Sequence, residues 1–318
     1  MMATERSTGP VVREDPPWEE LERVCPGRVS RGVPMSRLTT FRVGGPADAL
    51  VTPASPEEVA AILRWTRRWQ VPVVVMGAGS NILVRDGGIR GLVLRVGPPM
   101  DRWEARDQGE TIRLVAQAGL PLRRLIREGV RRGWGGISFL VGIPGTLGGA
   151  VAMNAGTREG CVADLVEEVT CVSPDGEKVA WGHRELAFSY RRLDLPAGAV
   201  IVEAALRLPK GGQPDIRAGL RQRMLQRRQS QPLGLPSAGS VFRNPPGDFA
   251  GRIIDGLGLK GLRCGGARVS PRHANFIVNE GGANARDVLR LIREVRQRVA
   301  YETGIQLELE IRVVGEAT

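Results

Sequence analysis

The sequence predicts an α+β protein of two or three domains, on three observations. The chain has 318 residues, 42 % apolar and 25 % charged, which is enough for more than one hydrophobic core. Segments of helical and of strand period follow one another along the whole length, with neither dominating. At Pro209-Lys210-Gly211-Gly212 the composition shifts from a strand-like apolar run to a charged helical one, the clearest domain boundary in the chain.

The elements follow in order. Met1 to Trp18 is polar and lacks the apolar centre of a signal peptide, so residues 1–20 read as a flexible N-terminal extension. A first unit, residues 21–97, holds a helix opened by Ser55-Pro56-Glu57-Glu58, with a capping serine, a proline in the first turn and a glutamate three residues on. Val59, Ile62, Leu63, Thr66 and Trp69 mark its inward face. Short strands are expected at Val71 to Met76, Ile82 to Val84 and Gly91 to Val96, with Asp86-Gly87-Gly88 as a turn. A second unit, residues 98–209, has a strand from Thr111 to Ala118 and a helix from Pro121 to Arg132 with Leu122, Leu125, Ile126 and Val130 inward. Strands from Leu165 to Val172 and from Ala199 to Leu208 complete it. The last unit, residues 213–318, opens with a helix from Asp215 to Arg228. It ends with a helix from Asn284 to Thr303, stopped by Gly304, and a strand from Ile305 to Val313. In that strand Ile305, Leu307, Leu309, Ile311 and Val313 share the inner face, and Glu308, Glu310 and Arg312 the other.

Composition also narrows the function classes. No apolar run reaches the roughly 18 residues of a membrane span, and the cytoplasm is the default compartment. The four cysteines form no C-x-x-C pair and there are two histidines, too few grouped ligands for a metal site. The net charge is +11, yet only three of the 45 basic residues are lysine. Such an arginine bias, spread evenly and carried on helices such as the one holding Arg221 to Arg228, reads as a genome habit. A nucleic-acid partner is not expected, and the positive field would instead draw in phosphorylated small molecules.

Two glycine-rich loops carry the chemistry. Gly77-Ala78-Gly79-Ser80-Asn81-Ile82 lacks the third glycine of a dinucleotide fingerprint and runs into a strand, where that motif opens a helix. Alone it reads as a turn. Its small residues also let successive N–H groups converge on an anion, with Ser80 and Asn81 adding side-chain donors. The second loop, Gly142-Ile143-Pro144-Gly145-Thr146-Leu147-Gly148-Gly149-Ala150, cannot pack a core by itself and lets backbone lie close to a flat or phosphorylated ligand.

With both loops in place, the chain resembles the UDP-N-acetylenolpyruvoylglucosamine reductase family from about Arg37 to Val314. The matching stretches are Thr39 to Asp48, Gly77 to Val84, Phe139 to Gly156, Phe188-Ser189-Tyr190-Arg191 and Pro236 to Pro245. Leu259-Lys260-Gly261, His273-Ala274-Asn275-Phe276 and Glu308 to Arg312 complete the series. The resemblance implies a two-part FAD-binding domain of the vanillyl-alcohol oxidase (PCMH) type followed by a C-terminal α+β substrate-binding domain. It implies non-covalent FAD held by Arg42 and by the two loops, at Gly77, Ala78, Gly79, Ser80, Asn81, Ile82, Gly142, Ile143, Pro144, Gly145, Thr146, Gly148, Gly149 and Ala150. NADPH is the implied co-substrate, taking turns with the sugar nucleotide at the flavin, and the protein is expected to be a monomer. The short link after Leu208 lacks the tyrosine-bearing loop of one subtype, so the chain is similar to the other, shorter one. Three positions depart from the family pattern: Leu38, Arg243 where lysine is usual, and Thr157-Arg158-Glu159.

The resemblance also assigns roles. Arg191 is the partner of the substrate carboxylate, Ser240 the proton donor, and Glu310 a stabiliser of the enolate that hydride addition creates. Tyr190, Arg243, Asn244 and Asn275 are the expected substrate contacts, and His273 is either a further contact or a packed histidine. Alternation alone does not separate Glu310 from Glu308, and a glycine–serine turn without the resemblance is only a turn. The alternative within enzymes is a flavin oxidase on the same FAD domain.

Overall fold

The structure, a computed structural model, describes residues 16–317. Helix α1 (Trp18–Val24) buries Trp18 and Leu21 and sets the Trp18 ring 5.4 Å from Trp65 of α2 (Pro56–Arg68). Residues 18–20 are therefore helical, not part of a flexible extension, because Trp18 has an apolar partner; residues 1–15 lie outside the described residues. In α2 the Ser55 hydroxyl accepts from the Glu58 N–H at 3.2 Å, and Val59, Ile62, Leu63 and Thr66 are buried. Trp69 is not on the inward face. It sits past the last turn, 37 % exposed, and its Nε1 donates to Glu20.

The first sheet has four strands in the order Val29–Pro34, Pro46–Val51, Ile89–Arg95, Val73–Met76. The first pair is antiparallel and the rest parallel, with Leu50 opposite Val93 and Val93 opposite Val74. Both central strands are largely buried, through Ala47, Ala49, Leu50 and Val51 in one and Ile89, Leu92, Val93 and Leu94 in the other, as a two-sided parallel sheet requires. The second sheet is antiparallel and five-stranded: Lys178–Gly182, Val166–Val172, Val200–Pro209, Thr111–Gln117, Trp103–Asp107. Its central strand, Val200–Pro209, is almost wholly buried. Helix α3 (Leu122–Arg132) turns Leu122 and Leu125 fully inward, leaves Ile126 and Val130 half-buried, and stops at Gly133 with φ +72°. A short helix, α4 (Leu147–Ala152), leads out of the second glycine loop. One hydrophobic core joins the two units, since Val59, Leu92 and Leu94 pack in one cluster with Leu114, Val169 and Val202.

Helix α5 (Gln213–Ser230) begins after the glycine break but leans back on α3, with Leu220 its one buried residue. The C-terminal unit follows: α6 (Ala250–Gly256), α7 (Ala285–Thr303) and a small sheet of Arg263–Cys264, Ala267–Val269 and Ile277–Asn279. Asn284 and Asp287 form a reciprocal cap at the start of α7, at 2.9 and 3.2 Å, and Gly304 ends it with φ +71°. The Asp86 carboxylate accepts from the Ala285 and Arg286 N–H groups, tying α7 to the first unit. The core of this unit also takes in Phe41, Val43 and Leu83 from the first.

The terminal segment departs from its expected strand. Only Arg312–Val314 is regular, paired in parallel with Ile82–Val84. Before that, Leu309 bridges Phe242, the Glu310 N–H donates to the Val241 carbonyl and the Arg243 N–H donates to that of Glu308. Changing partners between these neighbours interrupts the ladder. Leu307 and Ile311 remain buried, and Ile305, Leu309 and Val313 are half-buried.

Candidate active site

The two glycine loops face each other across one cavity of about 710 Å³. Gly77 to Ile82 and, from the second loop, Gly142 to Thr146 with Gly148, Gly149 and Ala150 all line it. Glycine is a necessity at several of these positions. A Cβ on Gly79, which has φ +68°, would stand 2.3 Å from the Leu38 carbonyl oxygen, and one on Gly77 would stand 2.5 Å from Thr146 Oγ1. Gly148 lies against Ala118, with 2.7 Å for its would-be Cβ. The Thr146 hydroxyl is buried beside Gly77 and has no hydrogen-bond partner among the described residues. An orphaned donor between two glycine loops, in a cavity that also has the apolar walls Val75, Val96 and Ile201, fits a nucleotide cofactor with phosphate oxygens. FAD fits this donor set. Among the described residues, no cysteine, histidine or tyrosine lines the cavity.

The charged end is assembled from distant segments. Arg191 sits in a two-residue hairpin turn between Ala187–Ser189 and Arg192–Asp194, with φ +57°, a left-handed conformation uncommon outside glycine. The Asn154 amide donates to the Ser189 carbonyl and holds this turn from below. Arg191 Nε donates to Glu310 Oε1 at 3.0 Å and its Nη1 to the Gly156 carbonyl at 2.9 Å. Glu310 is anchored through its backbone, its carbonyl accepting from the Asn81 amide at 3.1 Å. Its side chain is 13 % exposed. Burial pushes its carboxyl above the ordinary carboxylate value, while Arg191 and, more weakly, Arg243 pull the other way. Glu308 is exposed, so the fold separates two glutamates that alternation leaves equivalent. Ser240 follows Gly239 at φ +77° and pairs with Phe276 as an isolated bridge. Among the described residues its hydroxyl has no hydrogen-bond partner, and Ser240 lines the same cavity as Arg191 and Glu310.

The structure does not bring the remaining expected residues to this cavity. Tyr190 is 48 % exposed, and Arg243 donates to its carbonyl and lies against its ring. The Asn244 amide oxygen is spent on the Ala250 N–H at the start of α6. Asn275 is buried, its amide donating one N–H to the Phe242 carbonyl at 2.8 Å and accepting from the Phe242 N–H at 2.9 Å. His273 packs 4.7 Å from the Phe276 ring and accepts from the Asn275 N–H through Nδ1. Burial, aided by Lys260, holds its pKa low. Asn275 thus ties its own segment to Val241 and Phe242, the two residues after Ser240. Arg42 lines a smaller, separate pocket of about 440 Å³ with Arg37 and Arg95, which meets the main cavity at Thr40 and Ala78. Sequence reasoning missed Arg227, Gln231 and Arg312, which line the main cavity. The first two lie in and just after an arginine-rich helix where no spacing singles them out.

Fold and site together define a flavin-binding oxidoreductase, an FAD cradle closed by a second unit that delivers charged groups. The family described as FAD binding domain matches residues 47–181. The C-terminal domain of UDP-N-acetylenolpyruvoylglucosamine reductase matches residues 231–314. A reductase of that name from an Anaeromyxobacter species is 50 % identical over 303 residues, 95 % of this chain and 94 % of the relative. That from Moorella thermoacetica is 44 % identical over 93 % of this chain and 97 % of its own. The solved structure of the enzyme from Thermus caldophilus superposes with a TM-score of 0.78 at 40 % identity, covering 91 % of this chain and 99 % of that one. The chain belongs to the UDP-N-acetylenolpyruvoylglucosamine reductase family.

Proposed function

We propose that the chain reduces UDP-N-acetylglucosamine enolpyruvate to UDP-N-acetylmuramate, a step in making peptidoglycan precursors, with non-covalent FAD and with NADPH as electron donor. It does so in the cytoplasm as a monomer; among the described residues no helix is long and apolar enough to cross a membrane. The observation that carries the reading is the Arg191–Glu310 pair at 3.0 Å facing, with the unengaged Ser240 hydroxyl, the cavity that both glycine loops line.

The reaction sends a hydride to the terminal carbon of the double bond and a proton to its neighbour. Bound FAD supplies the hydride after NADPH has reduced it. Hydride addition drives negative charge onto an already anionic carboxylate, so the protein must offer positive charge there. Arg191 does so, its guanidinium fixed by Glu310 and the Gly156 carbonyl in an orientation that leaves a forked donor edge. Glu310, favouring its proton more than an exposed carboxyl would, donates a hydrogen bond to the developing enolate. Ser240 delivers the proton to the carbon through its free hydroxyl. Tyr190 and Arg243 hold the sugar nucleotide at the exposed rim, and Arg42 meets the cofactor's phosphates from the smaller pocket.

Half-reactions test this. In Ser240→Ala, NADPH should still bleach the flavin, while reoxidation by the enolpyruvyl sugar nucleotide slows by about 10²–10⁴-fold, the range for loss of a general acid. Equal slowing of both half-reactions would show that Ser240 only supports the fold. Rapid reoxidation by oxygen and none by the enolpyruvyl compound would favour an oxidase.

A further inference from the structure

Arg227 has no role in the mechanism above, yet it occupies an unusual position. It stands near the end of α5, half-buried, and lines the main cavity. Its stem lies on the second glycine loop, with Cδ 3.0 Å from where a Cβ on Gly142 would stand. The one polar partner of its side chain among the described residues is neutral, the Gln231 side-chain oxygen at 3.3 Å. No carboxylate among the described residues is within ion-pair distance of it, although Arg223, one turn earlier on the same helix, pairs with Glu159. Burial first, and then the positive charge of Arg191, both weigh against its charged form. A guanidinium keeps its proton regardless. A partly desolvated cation facing a second cation is costly unless an anion completes the site. Arg191 already has Glu310; Arg227 has nothing comparable.

We propose that Arg227 compensates a planar, delocalised anion in the cavity during turnover, and so is a further functional cation of the reductase site. Two anions of that chemistry enter the cavity on the functional reading above, on which this inference rests: the reduced flavin, and the carboxylate of the enolpyruvyl group. A guanidinium suits either, since its flat fork matches a delocalised charge better than a point charge does. Gln231 acts through Arg227, fixing the direction of its fork.

The test uses the FAD-loaded enzyme with Arg227→Met, which keeps the stem, and Arg227→Lys, which keeps the charge. Two quantities are measured without turnover: the flavin midpoint potential in the absence of substrate, and the Kd of the enolpyruvyl sugar nucleotide from its perturbation of the flavin spectrum. Arg227→Met should shift one of them by tenfold or more, with Arg227→Lys recovering most of it. For the flavin this means a potential lower by about 30 mV, the equivalent of a tenfold change for a two-electron couple. A changed potential identifies the reduced flavin as the anion, and a changed Kd the carboxylate. If both stay within about twofold of wild type while the flavin is retained, the proposal is wrong. If Arg227→Met does not fold, Arg227→Gln takes its place with the same criteria. Wild-type enzyme that ignores the enolpyruvyl compound would sink the functional reading, and the flavin potential would still report on Arg227.

Discussion

The wall of the cavity from Gly77 to Ile82 is six consecutive residues, whereas Arg191 and Glu310, which touch, are 119 residues apart in sequence. The cradle is local: its shape follows from glycines that no other residue can replace, and small side chains announce it in the sequence. The charged end is non-local. It exists because the terminal segment leaves Val241 and joins Ile82–Val84, so that Glu310 comes to rest between Asn81 and Arg191. The cradle should therefore fail by steric exclusion of the cofactor, and the charged end by loss of rate with the cofactor still in place. That difference can be broken or sharpened by substitution.

The largest effect is expected at the cradle. Gly79→Val places a branched side chain at φ +68°, with its Cβ 2.3 Å from the Leu38 carbonyl oxygen, a backbone atom that cannot step aside. The purified variant should lose its FAD, and absorbance in the flavin bands reads this directly. Gly97→Ala is the control, since nothing lies within 4 Å of its Cβ, and it should stay yellow. A yellow Gly79→Val protein with normal turnover would mean that the first loop is not a cofactor wall.

At the charged end, Glu310→Gln should retain FAD and NADPH reduction but slow reoxidation by the enolpyruvyl substrate by about 10²-fold, the scale of one lost transition-state donor. Glu308→Gln should remain within about twofold, because its side chain points to solvent and only its carbonyl is used. Similar losses in the two variants would erase the distinction that burial makes between them. Reoxidation should also fall with rising pH as Glu310 loses its proton, with the midpoint above the ordinary 4.5 because burial raises it. Glu310→Gln should abolish that limb. Stability has the same sign. Between the unfolded and the raised folded pKa the native state holds the extra proton, so Glu310 makes stability decline as pH rises through that window.

Much of the cradle was legible because it is contiguous. Ser55, Gly304 and the strand at Ile82–Val84 were legible for the same reason: caps, stops and apolar runs are local. The failures share a cause as well. Trp69 is in phase with α2 but lies beyond its last turn. The strand expected from Ile305 to Val313 has the right alternation, yet a ladder needs one continuous partner and this segment has two in succession. The surroundings of Asn275 and His273 were equally hidden, with no bearing on their roles: their side chains bond the backbone of Phe242 and of Asn275, which residue type alone does not reveal. Arg227 was hidden by its own kind, one arginine among several on α5, until the cavity showed which one faces inward.

The smallest effect should appear farthest from the cavity and separates stability from chemistry. Asn284→Ala removes the side-chain acceptor for the Asp287 N–H and leaves one half of the reciprocal cap of α7. A lost cap of this kind costs about 1 kcal/mol. The buried stripe from Val288 to Val299 remains to hold the helix, and Asp86 still accepts from the next two N–H groups. The denaturant midpoint should drop accordingly, while flavin content and both half-reaction rates stay at wild-type values. A change in the rate of substrate reoxidation would show instead that the position of α7 is transmitted to Glu310 through the shared packing of Leu291 and Ile311 in the C-terminal core.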